Sequence, residues 1–153
     1  MTQTTTPEEL LQRHDVKPTA VRVLLLRTMM GHDDAFSLQS LEDELETVDR
    51  STIYRTLTLF LEHHLIHAID DGTSSWKYAL CAPDCHCGEH SGAIDHLHAH
   101  FHCERCGHTF CLSTTQTPVV TLPEGYRVTA VNYVLKGLCP ACAQHTTAKT
   151  TQS

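Results

Sequence analysis

The sequence predicts an α/β (α+β) chain in two parts: a three-helix bundle closed by a hairpin, then a smaller helix-and-strand module. Three observations carry this. Apolar residues recur at helical spacing as far as about residue 62, and alternation with period two follows in Leu65, His67 and Ile69, then Trp76, Tyr78 and Leu80. At 82–95 the composition changes abruptly, with Pro83, Gly88 and Gly92 and almost no large apolar residue. Beyond it lie two Cys-x-x-Cys pairs, Cys103/Cys106 and Cys139/Cys142. Three helices followed by a hairpin describe a winged helix, so the expected divisions are a winged-helix domain at 1–81, a linker or hinge at 82–95, a second domain at 96–145 and a frayed polar tail at 146–153.

In chain order, residues 8–31 read as helix with a break at Lys17-Pro18, where Pro18 suits a first helical position. Val21, Leu24, Leu25 and Met29 are its expected apolar face, and Gly31 ends it. Ser37 is placed to cap a short helix carrying Leu38, Leu41 and Leu45. Asp49 or Ser51 caps the next, whose buried stripe is Ile53, Leu57, Phe60 and Leu61, with Tyr54, Arg55 and Thr58 off the stripe. In the second module, strands are expected at 96–103, 108–112 and about 126–136, with a short helix after Cys139. That module is too small for a large core and calls for a staple.

Composition excludes several classes. The chain has 153 residues, 41% of them hydrophobic and 19% charged, so a packed core is within reach. No apolar run approaches the roughly 20 residues needed to span a bilayer, and Met1 to Glu9 is Thr-rich and acidic, unlike a signal peptide. A soluble, cytoplasmic protein without a membrane partner is expected. No enzyme is expected either, and no catalytic residue, because no carboxylate pair, phosphate loop or His-Glu-x-x-His element occurs. The net charge is −7, divided as −6 over 1–70 and −1 over 71–153. Any nucleic-acid contact must therefore be local, made from Arg13, Lys17, Arg22 and Arg27 or from Arg50 and Arg55.

Eight cysteines and 13 histidines in such a chain point to metal. Two residues between cysteines let both thiolates of a turn reach one ion, and two such pairs complete a tetrahedral four-sulfur site. Cys103, Cys106, Cys139 and Cys142 are accordingly expected to hold a structural Zn2+. His96, His98, His100 and His102 alternate, which on a strand puts all four imidazoles on one face and Leu97, Ala99 and Phe101 on the core side. Two ligands from that strand and two from the hairpin, His67 and Cys81, would join the two parts across a second divalent ion. Cys111, and Cys85 and Cys87 in the linker, are additional candidates alongside His96.

Together these residues resemble the ferric uptake regulator (Fur) family. The resemblance rests on Pro18-Thr19-Ala20-Val21-Arg22, Ser51-Thr52-Ile53-Tyr54-Arg55-Thr56-Leu57, His98-x-His100-Phe101-x-Cys103-x-x-Cys106-Gly107 and Cys139-x-x-Cys142, and it covers about residues 10–145. It implies a homodimeric, metal-responsive repressor of metal homeostasis genes, with the second module as its dimerisation domain, bound to a palindromic double-stranded operator. Carried over residue by residue, it implies that Tyr54 and Arg55, with Ser51 and Thr52, lie on the recognition helix, and that Lys17, Thr19 and Arg22 position the duplex backbone. It also implies a regulatory ion at His98 and His100. A histidine that often serves as a ligand ahead of the short helix falls at Ala35, with His32 offset, and the position of Cys111 is often a carboxylate in iron and peroxide sensors. Cys81 looks like the cysteine ligand of zinc-uptake regulators, and His67 falls where some of these place an aspartate. A thiolate favours Zn2+ over Fe2+ or Mn2+ as the sensed ion, with iron-responsive or peroxide/thiol redox-sensing members as the alternative.

Overall fold

The computed structural model describes residues 4–81, 99–112, 117–118, 120–128 and 133–147. The expected linker at 82–95, the tail beyond 147, and the candidate ligands Cys85, Cys87, His96 and His98 lie outside the described residues. No described helix is long and apolar enough to cross a membrane.

Helix α1, Pro7–Arg13, begins with proline at its first turn and a reciprocal cap in which Thr6 accepts from the Glu9 amide and Glu9 accepts from the Thr6 amide. Helix α2, Ala20–Met30, is capped by the Thr19 side chain and stops at Gly31. Pro18 thus lies one residue ahead of the cap rather than at the first helical position, because the Thr19 hydroxyl takes the orphan amide of Arg22. The face of α2 also differs from expectation. Leu25, Leu26 and Met29 are buried whereas Leu24 is 37% exposed, so the helix is rotated by about one residue.

A two-residue strand β1, Phe36–Ser37, leads into α3, Leu38–Glu44, through a Ser37/Ser40 capping box. Helix α4, Arg50–Glu62, starts at Asp49, whose carboxylate accepts from the Thr52 amide. Strands β2, Ile66–Ile69, and β3, Lys77–Leu80, form the hairpin, and β1 pairs with β3 to give sheet order β1-β3-β2. Leu11, Leu25, Leu26, Leu41, Ile53, Leu57, Phe60 and Leu65 close the core between these helices and the sheet. The ends of α1 and α4 are tied together: the Nδ1–H of His14 donates to the His63 carbonyl at 3.0 Å and that of His63 to the His14 carbonyl at 2.8 Å. Each bond satisfies an orphan carbonyl at a helix C-terminus. This is a winged helix.

In the second part, β4, Ala99–Cys103, and β5, Thr109–Leu112, form an antiparallel hairpin through a turn in which Gly107 takes φ 76°. Strand β6, Val134–Gly137, joins β4 in parallel, and α5, Pro140–Thr147, follows. The strand expected from residue 126 is shorter. Residues 126–128 are exposed and unpaired in any described sheet, following the Pro123–Gly125 turn, and among the described residues contact with β4 begins where the Tyr133 carbonyl accepts from the His100 amide at 2.9 Å.

Phe60 is fully buried at the centre of the winged-helix core. Phe60→Ala should lower stability by about 3–5 kcal/mol, the usual cost of truncating a core aromatic. Urea denaturation followed by circular dichroism checks this, and a loss below about 1 kcal/mol would contradict the packing described.

Candidate metal centres and nucleic-acid face

The first centre follows from strand pairing. The parallel register sets Cys103 beside Gly137, which delivers Cys139 two residues later against the β4–β5 turn carrying Cys106. The sulfur atoms of Cys103, Cys106, Cys139 and Cys142 all lie within 4.8 Å of one another, with Cys106 and Cys139 at 3.9 Å. Backbone amides of Cys106 and then Cys139 point at the Cys103 sulfur and hold that thiol down to about 5. Hydrogen bonding with Cys139, and then burial, push Cys142 up to about 12. The Cys103 thiol is thus disposed to ionise and meet a cation, whereas Cys142 gives up its proton only to a bound ion. Four sulfur donors at this separation fit the closed tetrahedral set of structural zinc.

The second cluster depends on which way β4 faces. His100 pairs with Cys111 across the ladder, and His102 with Thr109, so these four share one face. Sequence alternation makes that face the polar side, with Phe101 toward a core. The structure covers both faces: Ala99, on the expected core side, is buried and Phe101 beside it partly so, while His100 and Thr109, on the expected polar face, are buried against the wing. The alternation was legible; the burial was not, because it comes from the wing.

There, His67 of β2 sets its Nε2 3.2 Å from Nε2 of His100, and Cys81 Sγ lies 3.6 Å from His67 Nδ1. One ligand atom each from His67, His100 and Cys111 falls within a 4.8 Å group. Cys81 is placed beside the wing by its amide bond to the Leu65 carbonyl at 3.0 Å. Burial, then the nearby Cys111, push the Cys81 thiol up to about 12. Cys111, an additional candidate in the sequence, is therefore inside the cluster. His32, the offset histidine, is exposed and bonded to Glu44 at 3.2 Å, on the rim of a 210 Å³ cavity that Cys111 also lines.

One set of residues escaped sequence reasoning. Asp71, in the hairpin turn, is fully buried and accepts from the Thr109 hydroxyl of β5 at 2.7 Å, from the Thr73 hydroxyl at 2.6 Å and from the Thr73 amide at 3.0 Å. His102 Nδ1 lies 3.0 Å from the Thr109 hydroxyl and 3.4 Å from Asp71, and Lys77 Nζ 3.7 Å from Asp71. Burial pushes the Asp71 carboxyl up, yet the Thr73 and Thr109 hydroxyls, the Thr73 amide and Lys77 outweigh it and hold it at about 2. An Asp-Asp-Gly turn reads as solvated polar sequence, and nothing in it signals a partner nearly 40 residues away. The same junction carries an Ala35 amide bond to the Thr109 carbonyl at 2.8 Å.

The candidate nucleic-acid residues lie on α2, on α4 and in the turn ahead of α2. Thr19, Arg22, Thr52, Tyr54 and Arg55 line an open groove of about 630 Å³ between α2 and α4. Tyr54 is 56% exposed, and Arg55 leans back on the Ser51 carbonyl at 3.3 Å. Arg22 is held by the Lys17 carbonyl at 2.8 Å, with the Lys17 side chain exposed nearby. The Ser51 hydroxyl donates to Asp49, as does that of Thr52 at 2.7 Å. These bonds, Ser51 first, hold the Asp49 carboxyl at about 2, so the α4 N-terminus carries its own anion.

A winged helix joined to a thiol-rich metal module, with a second ligand cluster between them, defines a metal-linked regulator by its architecture. The model of the ferric uptake regulator family matches residues 13–121, and the chain belongs to that family of metal-responsive transcriptional regulators. It is 30% identical to the zinc uptake regulation protein of Escherichia coli (strain K12), over 94% of this chain and 86% of that one. It is 26% identical to the ferric uptake regulation protein of Campylobacter jejuni subsp. jejuni, over 88% and 85% of the two chains. Among solved structures, a zinc uptake regulator complexed with zinc and DNA has the same fold, with TM-score 0.61 at 22% identity over 92% of each chain.

Two outcomes follow from this geometry. Cys103→Ser should lose the tightly held zinc and unfold the second module, read by elemental analysis and thermal melting; a variant that kept one firmly bound zinc and wild-type melting would contradict the four-cysteine assignment. For Asp71, the carboxyl titrates at about 2 in the fold against an ordinary 3.8. Its stabilisation is therefore complete above about pH 4 and is lost as pH falls toward about 2. Urea midpoints across this range should show the advantage of wild type over Asp71→Asn shrinking with acidity, and a constant gap would refute the assignment.

Proposed function

We propose that the chain is a zinc-responsive, homodimeric repressor that binds a palindromic double-stranded operator in the cytoplasm and controls metal homeostasis genes. Its parts are a DNA-binding domain at 1–81, a hinge at 82–95 and a dimerisation and metal-binding domain at 96–145. Zn2+ at Cys103, Cys106, Cys139 and Cys142 holds the second domain folded. The observation that carries the reading is a cluster drawn from both domains in which the Cys111 thiol stands with His67 and His100, while the Cys81 thiol meets Nδ1, the other ring nitrogen of His67. Sulfur donors favour Zn2+ over the harder Fe2+ and Mn2+. His67, His100 and Cys111 supply three ligands. The fourth is Cys81, already beside the His67 imidazole, or His98 by its alternation with His100.

An ion bound there ties the wing to β4 and β5, and so fixes the orientation of α4 relative to the dimer axis. Two recognition helices so fixed reach successive major-groove half-sites, Tyr54 and Arg55 at base edges and Lys17, Thr19 and Arg22 at phosphates. Without the ion, whatever ordering protein contacts alone leave incomplete costs entropy at the moment of DNA binding. Dimerisation is supported by the outer face of the second sheet, where Phe101, Phe110, Leu112, Leu138 and Pro140 line an apolar groove of about 690 Å³ and Leu135 is 50% exposed. The alternative, thiol redox sensing, draws on Cys81 and Cys111 lying close enough for the charge of one to act on the other.

Elemental analysis before and after mild chelation, paired with gel-shift titrations of Zn2+, Fe2+ and Mn2+, tests the reading. One fixed zinc per chain and a second, exchangeable ion should be found, with only Zn2+ at low concentration restoring DNA binding. Activation by Fe2+ alone would overturn the metal, and binding indifferent to all three but lost on mild oxidation would favour the redox alternative. His100→Ala should keep the fixed zinc and lose the metal response; an unchanged response would place the regulatory ion elsewhere.

A further inference from the structure

We infer that Asp71 is a positioning residue which, through Thr109, docks the wing on the second sheet without metal and so half-assembles the regulatory site before its ion arrives. This rests on the regulatory reading given above. Wing and sheet meet in register. On the inner face of the β4–β5 ladder, the pair His100/Cys111 is followed by the pair His102/Thr109, about 7 Å further along at the ordinary strand rise. The wing meets both pairs in the same order, His67 against the first and Asp71, four residues on, against the second.

The first contact supplies ligands; the second is built entirely of protein. Asp71 is an acceptor on both oxygens, and its fully buried carboxylate meets a fully buried Thr109 whose hydroxyl bridges it to His102. Lys77 of the wing faces the same carboxylate. Lys136, paired with His102 across β4–β6, closes over the turn so tightly that a Cβ on Gly72 would lie 2.9 Å from its Nζ. A junction satisfied in this way persists in the absence of an ion. It holds His67 over His100, raising the effective concentration of the wing's ligands at the sheet's ligands and reducing the ordering that the ion must impose.

The test is a competition titration of the exchangeable zinc with a chromogenic chelator, on full-length protein whose four-cysteine zinc site is loaded. Thr109→Val removes the hydroxyl and keeps the shape. It should weaken the exchangeable site by about tenfold or more, the scale on which supporting contacts act on metal sites, while saturating zinc restores wild-type DNA affinity. Thr109→Ser, which returns the donor, should match wild type. Asp71→Asn, which removes the charge facing Lys77 and His102, should shift zinc affinity in the same direction as Thr109→Val and gives a second reading if the valine variant misfolds. A folded Thr109→Val or Asp71→Asn protein with wild-type zinc affinity, even with a lowered melting temperature, would overturn the inference and leave a purely structural contact. Wild type that bound no exchangeable zinc would instead overturn the regulatory reading itself, before any variant was compared.

Discussion

Everything that could make this molecule respond to an ion depends on the two-residue alternation of β4. Even-numbered residues turn one way and odd-numbered residues the other. His100 and His102 therefore face the wing, and Phe101 faces away on a side left open to a second copy. Cys103, continuing the odd series, comes to the four-cysteine cluster at the strand's end. One five-residue strand thus belongs to the His67/His100/Cys111 cluster, the Asp71–Thr109 junction, an apolar face and the four-cysteine cluster. A one-residue slip in register would exchange the faces and dismantle all of them together.

The charge distribution sets a second constraint. Residues 1–70 carry a net −6, yet the groove between α2 and α4 is lined by Arg22 and Arg55 with Tyr54 exposed beside them. Several cations are held by neighbours rather than left to the field: Arg50 by Glu42 at 2.6 Å, Arg27 by Glu8 at 3.8 Å. Asp49 satisfies the α4 N-terminus from within, which stabilises the helix and removes an anion site that a phosphate could otherwise use. Binding by such a face depends on orientation rather than on bulk attraction, which is the condition under which fixing the domain angle matters most.

Legibility followed the range of the interaction. Caps, helical stripes and the Cys-x-x-Cys pairs are local, and Ser37 and Asp49 cap their helices as expected, whereas the caps made by Thr6 and Thr19 were not foreseen. The rotation of α2, with Leu26 inside and Leu24 half out, is decided by what packs against it, so hydrophobicity alone could not choose between adjacent leucines. His67 and the histidine strand stand out in the sequence by residue type, while the grouping of Cys111 with them needed the β4–β5 register. Asp71 was illegible. A carboxylate in a polar turn looks solvated until a hydroxyl from another sheet removes it from water, and that partner is 38 residues away.

An ion that joins the wing to the second sheet would be visible in a crystal structure of the zinc-loaded protein, with anomalous difference maps on both sides of the zinc edge. Two zinc peaks per chain are expected, one among Cys103, Cys106, Cys139 and Cys142, the other bonded to His67, His100 and Cys111. A single peak at the four cysteines, with His67 and His100 still in contact and no metal between wing and sheet, would contradict this.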